Sequence, residues 1–99
     1  MKYLVQWETR QTSSEEIQAR GLQVFSKWSP SPETTFKEFL GRVDGRGGFA
    51  VVEADDPALV ARDMAIFGAF FDMSVYPVME IMDIAGIGAE AVQFRSSIT

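Results

Sequence analysis

The sequence predicts a ferredoxin-like α+β sandwich, and three observations point there. Strand-like alternation and helix-like spacing follow one another in the order β-α-β-β-α-β, two split βαβ units. A glycine-rich stretch from Gly41 to Gly48 separates two apolar runs, as the tip of a hairpin does. Pro77 lies inside the last apolar run, where a missing ladder donor is tolerated on an edge strand or at a bulge. In this architecture the antiparallel sheet has the order 4-1-3-2, so the fourth strand is an edge, and both helices cover one sheet face.

Each element has its own local cause. Residues 2–8 alternate, with Tyr3, Val5 and Trp7 opposite Lys2, Gln6 and Glu8, and read as the first strand. Leu4 breaks the polar side, which implies that the second face is also partly covered. Thr12 with Glu15, or Ser13 with Glu16, forms a capping-box pattern before a helix whose apolar residues are Ile17, Gly21, Val24 and Trp28, flanked by Leu22 and Phe25. Pro30 and Pro32 end it. Residues 34–43 form the second strand and 48–54 the third. Asp55 or Asp56 caps the second helix, Pro57 suits its first position, Val60, Met64 and Phe67 form its apolar face, and Gly68 ends it. Phe70 and Phe71 lead into a fourth strand over about 73–84. The domain is expected over residues 1–84, followed by a tail over 85–99 with a short helix near Ala89 to Phe94.

Parity divides the central hairpin into two faces. Phe36, Glu38, Leu40 and Arg42 share one with Phe49, Val51 and Glu53; Phe39 and Val43 share the other with Ala50, Val52 and Ala54. The second set suits helix packing. The first leaves Phe36, Leu40, Phe49 and Val51 on an uncovered sheet face, a patch that monomers rarely expose. A homodimer with these residues at its interface is the expectation.

Composition excludes several chemistries. The 99 residues contain no cysteine, histidine or asparagine, which removes disulfides, thiolate chemistry, the usual zinc and haem ligand and the commonest general base. The nine Lys and Arg residues are scattered and the net charge is −5, so no basic stripe invites nucleic acid or an anionic membrane. No apolar run approaches the ~20 residues that span a bilayer. The opening residues lack the apolar centre of a signal peptide, and a cytoplasmic location is expected. No metal or cofactor is implied.

The polar motifs read mostly as structure. Gly45-Arg46-Gly47-Gly48 leads into a strand, whereas a phosphate cradle opens a helix. Glu53, Asp55 and Asp56 diverge between a sheet face and a helix start, so they do not converge on a cation. Trp7 and Trp28 belong with the core aromatics, and the methionines at 64, 73, 79 and 82 fill gaps. Arg42 with Glu53 or Glu38 is the set that admits a function. On a partly buried face these side chains form either an ion-pair network or a polar pocket. In the pocket, Arg42 would hold an anionic group, Glu53 would act as acid or base, and Tyr76 would donate a hydrogen bond.

Met-Lys-Tyr-Leu-Val-Gln-Trp at the start, Gly-Arg-Val-Asp-Gly-Arg-Gly-Gly-Phe-Ala-Val-Val-Glu-Ala-Asp-Asp in the centre and Val-Tyr-Pro-Val-Met-Glu-Ile near the end resemble a bacterial family of small domains of unknown function. Those domains look like members of the dimeric α/β-barrel superfamily, and the resemblance spans Met1 to about Ile84. It implies the fold and the dimer, and no activity. Other branches of the superfamily are monooxygenases, isomerases and ligand-sensing domains. Their catalytic histidine or Asn-His-Trp sets have no counterpart here. The expectation is a homodimeric small-molecule-binding or interaction module. A cofactor-independent monooxygenase- or isomerase-like enzyme is the alternative, and a purely structural subunit without a pocket the third reading.

Overall fold

Regular alternation over the first residues produces β1 (Lys2–Thr9), with Tyr3 and Val5 buried and Lys2 and Leu4 turned the other way. The computed structural model describes residues 1–98. The chain continues through α1 (Glu15–Lys27), β2 (Thr34–Gly41), β3 (Gly47–Ala54), α2 (Pro57–Phe67), β4 (Phe71–Val78) and α3 (Ile81–Ser96). The four antiparallel strands stand in the order β2-β3-β1-β4, the ferredoxin-like arrangement. Pro77 sits on the β4 edge opposite Tyr3, where its missing N–H breaks no interior ladder. Among the described residues no helix is long and apolar enough to cross a membrane.

The core forms where small and branched residues of the two central strands meet α2. Val5, Ala50, Val52 and Ala54 pack with Tyr3 and Val60, and Trp7, Phe36, Met64 and Met73 close around them. Asp56 caps α2 by accepting from the Ala58 N–H at 2.9 Å, and Pro57 follows at the position expected for it. Ser14, one residue beyond the expected caps, starts α1 by accepting from the Ile17 N–H at 3.2 Å. The α1 stripe that faces the sheet is Ile17, Gly21, Phe25 and Trp28, so Phe25 occupies the place expected of Val24.

Two local departures change which side chains share a face. The β2–β3 register shifts between Phe36 and Glu38, leaving Lys37 as an extra residue. Phe36 stands opposite Val52 and Glu38 opposite Val51, so the bulge turns Phe36 to the helix side while Leu40 stays opposite Phe49. Phe36 therefore leaves the expected interface set and packs edge-on against Trp28, with centroids 5.7 Å apart. The second departure lies at the end of the chain. β4 stops at Val78, and residues expected as strand and tail form the 16-residue α3. Glu80 and Ile81 begin a helix just past the last β1–β4 pair, Lys2 opposite Val78. Nothing of α3 is buried, and the molecule extends to 62 Å along its longest axis.

The sheet face away from the helices is built of cross-strand rows. Glu38, Val51, Leu4 and Tyr76 make one, and Leu40, Phe49, Gln6 and Ser74 the next. Thr35, Glu53, Lys2 and Val78 make a third. Leu40 is 55% exposed and Phe49 39%.

Candidate functional site

A cavity of about 480 Å³ lies between α1 and the helix-side face of the sheet. Its floor is Val5 and Trp7 from β1 with Phe36 and Phe39 from β2, and the Lys37 bulge is what lets both phenylalanines face it. Phe25 of α1, Trp28 just after it and Phe67 of α2 form the walls, and Phe70, Phe71 and Met73 close one end. The rings meet edge to face. Trp7 and Phe39 stand 5.6 Å apart at 86°, and Trp28 and Phe67 stand 5.1 Å apart at 86°. Such pairs fix ring orientation beyond what area burial alone achieves.

The roof is loose. Gly21 is the one buried residue of α1, while Ile17, Leu22 and Phe25 remain partly open to solvent. A Cβ at Gly21 would meet the Phe70 ring at 3.6 Å, an ordinary contact, so the glycine is not forced by a close helix–sheet approach. Its absent side chain instead leaves volume in the cavity. Thr9, Ser13 and Gln18 supply the polar groups, all near the start of α1, and no ionisable side chain is in the lining.

Asp63 holds the far wall in place. It is 2% exposed and accepts from the Ser31 backbone N–H at 3.0 Å and from the Ser31 hydroxyl at 2.8 Å. The Trp28 indole N–H reaches it at 3.4 Å. A buried carboxylate is tolerated when donors surround it, and these donors tie the loop after α1 to α2. Arg10 does similar work at the other end of α2, donating to the Ala69 carbonyl at 3.2 Å, to the Gly68 carbonyl, and to Asp72 at 3.2 Å.

The polar residues singled out from sequence are spread over the sheet. Arg42 lies at the hairpin end, where it donates to Glu8 at 3.3 Å and to Asp44 at 2.5 Å. The hydrogen bond to Asp44 raises the Arg42 pKa further. The Asp44 carboxyl is held below its usual value first by the Arg46 backbone N–H and then by Arg42. Glu53 lies at the other end of β3, with Lys37 at 3.6 Å. Arg42 is bonded to Gly47, and from there to Glu53 the strand runs about 20 Å. Glu38 and Tyr76 end the same row on opposite sheet edges, about 14 Å apart across three strand spacings. One chain does not bring these four together. Leu40, Phe49 and Val51 do share the open face, as parity requires.

Asp56 caps α2, and Asp55 lies 3.9 Å from the amino terminus. The sequence reading put Trp7 and Trp28 in a filled core, Phe39 on the helix-packing face and Phe36 on the open one. The signal for the cavity was the spacing of Phe36 and Phe39, three apart in a strand, which puts both on one face only if a bulge intervenes.

The family comparison adds to this geometry. A family model described as "Domain of unknown function (DUF3303)" matches residues 1–92. The chain belongs to that family. The match takes in the sheet, both helices that pack on it and most of α3, so the DUF3303 unit includes the cavity and the projecting helix together. No curated protein matches the chain.

Proposed function

We propose that this DUF3303 chain is a homodimeric module that binds a small, uncharged, largely apolar molecule in the cavity under α1. The observation that carries the reading is the cavity itself. Its ~480 Å³ falls within the range typical of ligand pockets, about 300–1,000 Å³. Its walls are aromatic faces and edges that suit a ring-bearing ligand. A charged ligand would surrender its hydration to a lining without a counter-charge, which disfavours it. Thr9, Ser13 and Gln18 offer hydrogen bonds to one polar end.

The dimer follows from the apolar rows of the open sheet face. Leu40, Phe49 and Val51 would lie against a second copy, in the manner of a dimeric α/β barrel. The enzyme alternative gains no support, because Arg42, Glu53 and Tyr76 lie on the sheet face away from the cavity and stand far apart along it.

Both tryptophans of the chain line the cavity, so its occupancy is readable directly. N-phenyl-1-naphthylamine, a neutral aromatic probe, is expected to bind saturably, to quench tryptophan emission and to gain fluorescence. Gly21→Leu should fill the cavity from the helix side and abolish that binding while the far-ultraviolet circular dichroism stays unchanged. Saturable binding that survives Gly21→Leu, or no binding at all, would remove the cavity from the argument.

A further inference from the structure

The homodimer in the proposed function leaves α3 unexplained, and α3 is the most anomalous element of the chain. A globular protein of 11.0 kDa exposes about 5,600 Å². This chain exposes 7364 Å², an excess of about 1,700 Å². Its radius of gyration is 17.8 Å, where a compact chain of this length has about 12.6 Å. The projecting α3 accounts for the shape.

The surface of α3 is not that of a helix meant for water. Ile84, Ile87, Ala91 and Phe94 recur at spacings of three, four and three, which places them in one stripe. Ile87 is 52% exposed and Phe94 68%. Asp83 and Glu90 flank the stripe beside Phe94, and the far side carries Met82, Ala85, Ala89 and Val92 with Gln93, so α3 is apolar nearly all round. Gly86 and Gly88 weaken its intrinsic helicity, and helices of this length are marginal alone in water. The stripe needs a cover to hold the helix.

The base of α3 indicates where that cover lies. Lys2 belongs to the open sheet face, in the row of Glu53 and Val78, and its ammonium donates to Glu80 at 2.5 Å. The helix therefore leaves the molecule at the rim of the open face. It is about 24 Å long at 1.5 Å per residue, while the outer strands of a four-stranded sheet stand about 14 Å apart. One α3 is long enough to cross an entire open face.

We propose that α3 is a dimerisation arm that packs its Ile84–Ile87–Ala91–Phe94 stripe on the open sheet face of a second copy. This rests on the homodimer reading and deepens it. Each copy carries both halves of the contact, the arm and the apolar rows, so a two-fold pair satisfies both at once. The area agrees with that occupant. An excess of about 1,700 Å² per chain makes about 3,400 Å² for a pair, within the 2,000–5,000 Å² of obligate homodimers. A membrane surface is the weaker occupant, because the chain carries a net charge of −5 and α3 holds two acids, Asp83 and Glu90, against one base, Arg95.

The test uses the full chain in light scattering after size exclusion, together with disulfide trapping. The native chain is expected at twice its 11.0 kDa mass, and the double variant Ile87→Glu/Phe94→Glu at 11.0 kDa with its sheet intact by circular dichroism. Since the chain has no cysteine, Ile87→Cys mixed with Val51→Cys forms a mixed disulfide only across two chains. That product is expected under mild oxidation, and none from the exposed control Ile66→Cys with Val51→Cys. If the double variant stays dimeric and the trap fails, the arm is refuted and the homodimer stands. If the native chain is a monomer at micromolar concentration, both fall. A monomer that floats with vesicles of phosphatidylcholine and phosphatidylglycerol would overturn the arm and assign α3 to a lipid surface.

Discussion

Replacing Asp63 with alanine tests whether the cavity wall is held by one buried carboxylate. The substitution strands two donors of Ser31, its N–H and its hydroxyl, and Ser31 is itself 7% exposed. An unpaired buried donor costs about 1–3 kcal/mol. Removing a desolvated charge offsets part of that, and the indole bond at 3.4 Å adds little. A net loss of about 2–4 kcal/mol remains, against a total stability of about 5–15 kcal/mol for a chain this size. Urea unfolding at one fixed protein concentration is the assay, because the stability of the proposed dimer would depend on concentration. The midpoint should fall without a change in slope, and thermal unfolding should drop by at least about 10 °C. Ser31→Ala should cost less, since it loses the hydroxyl bond but leaves the N–H paired. Because Asp63 also positions Trp28, the alanine variant should bind the naphthylamine probe more weakly even where it is folded. A loss under about 1 kcal/mol would refute the reasoning, since it would mean that water or another acceptor satisfies Ser31.

Two glycines should respond with opposite signs. Gly21→Ala places a methyl in ordinary contact with Phe70 and removes a helix-interior glycine, so thermal unfolding should show a gain of about 0.5–1 kcal/mol. Gly48→Ala would drive a methyl into the Leu40 carbonyl oxygen and the Trp7 ring, so the same measurement should show a loss of about 1–3 kcal/mol. The Lys2–Glu80 pair gives a pH signature. The hydrogen bond to Glu80 raises Lys2, and the same bond lowers Glu80. A lowered carboxyl contributes fully above its unfolded pKa and loses that contribution as pH falls through its folded one. A raised amine contributes fully below its unfolded pKa and loses that contribution as pH rises through its folded value. The protection of the first-turn amides of α3, taken relative to their intrinsic exchange at each pH, should therefore stay constant through neutrality and fall in acid. Lys2→Met should remove that acid dependence.

Strand order and the course of α2 were legible because each rests on local chemistry: alternation, a proline that fits an edge or a bulge, an aspartate cap before proline. The cavity was not legible, because parity assumes an unbroken ladder. One extra residue at Lys37 reverses every assignment upstream of it, and Phe36 moved with it. The same single-register assumption drew Arg42 and Glu53 onto one face. Both do flank that face, but parity carries no distance along the strand, and length separated them. Asp63 was passed over because a lone acid beside an apolar stripe looks solvated until the loop that folds onto it is known.

The end of the chain failed for a different reason. Met73 to Ile84 is apolar throughout, and a short apolar run does not declare its period. What separates strand from helix there is where the pairing with β1 stops, at Lys2 opposite Val78. Past that point the backbone must satisfy its own hydrogen bonds, and a helix does so without a neighbour. The helix solves the backbone problem and leaves the side-chain problem open, since Ile84, Ile87 and Phe94 stay about half exposed or more. The open sheet face stands in the same position, with its ladder complete and Leu40 and Phe49 uncovered. Two surfaces with satisfied backbones and unsatisfied side chains, joined at the Lys2–Glu80 rim, are what a second copy of the same chain would complete, while the cavity on the other side of the sheet stays free for a ligand.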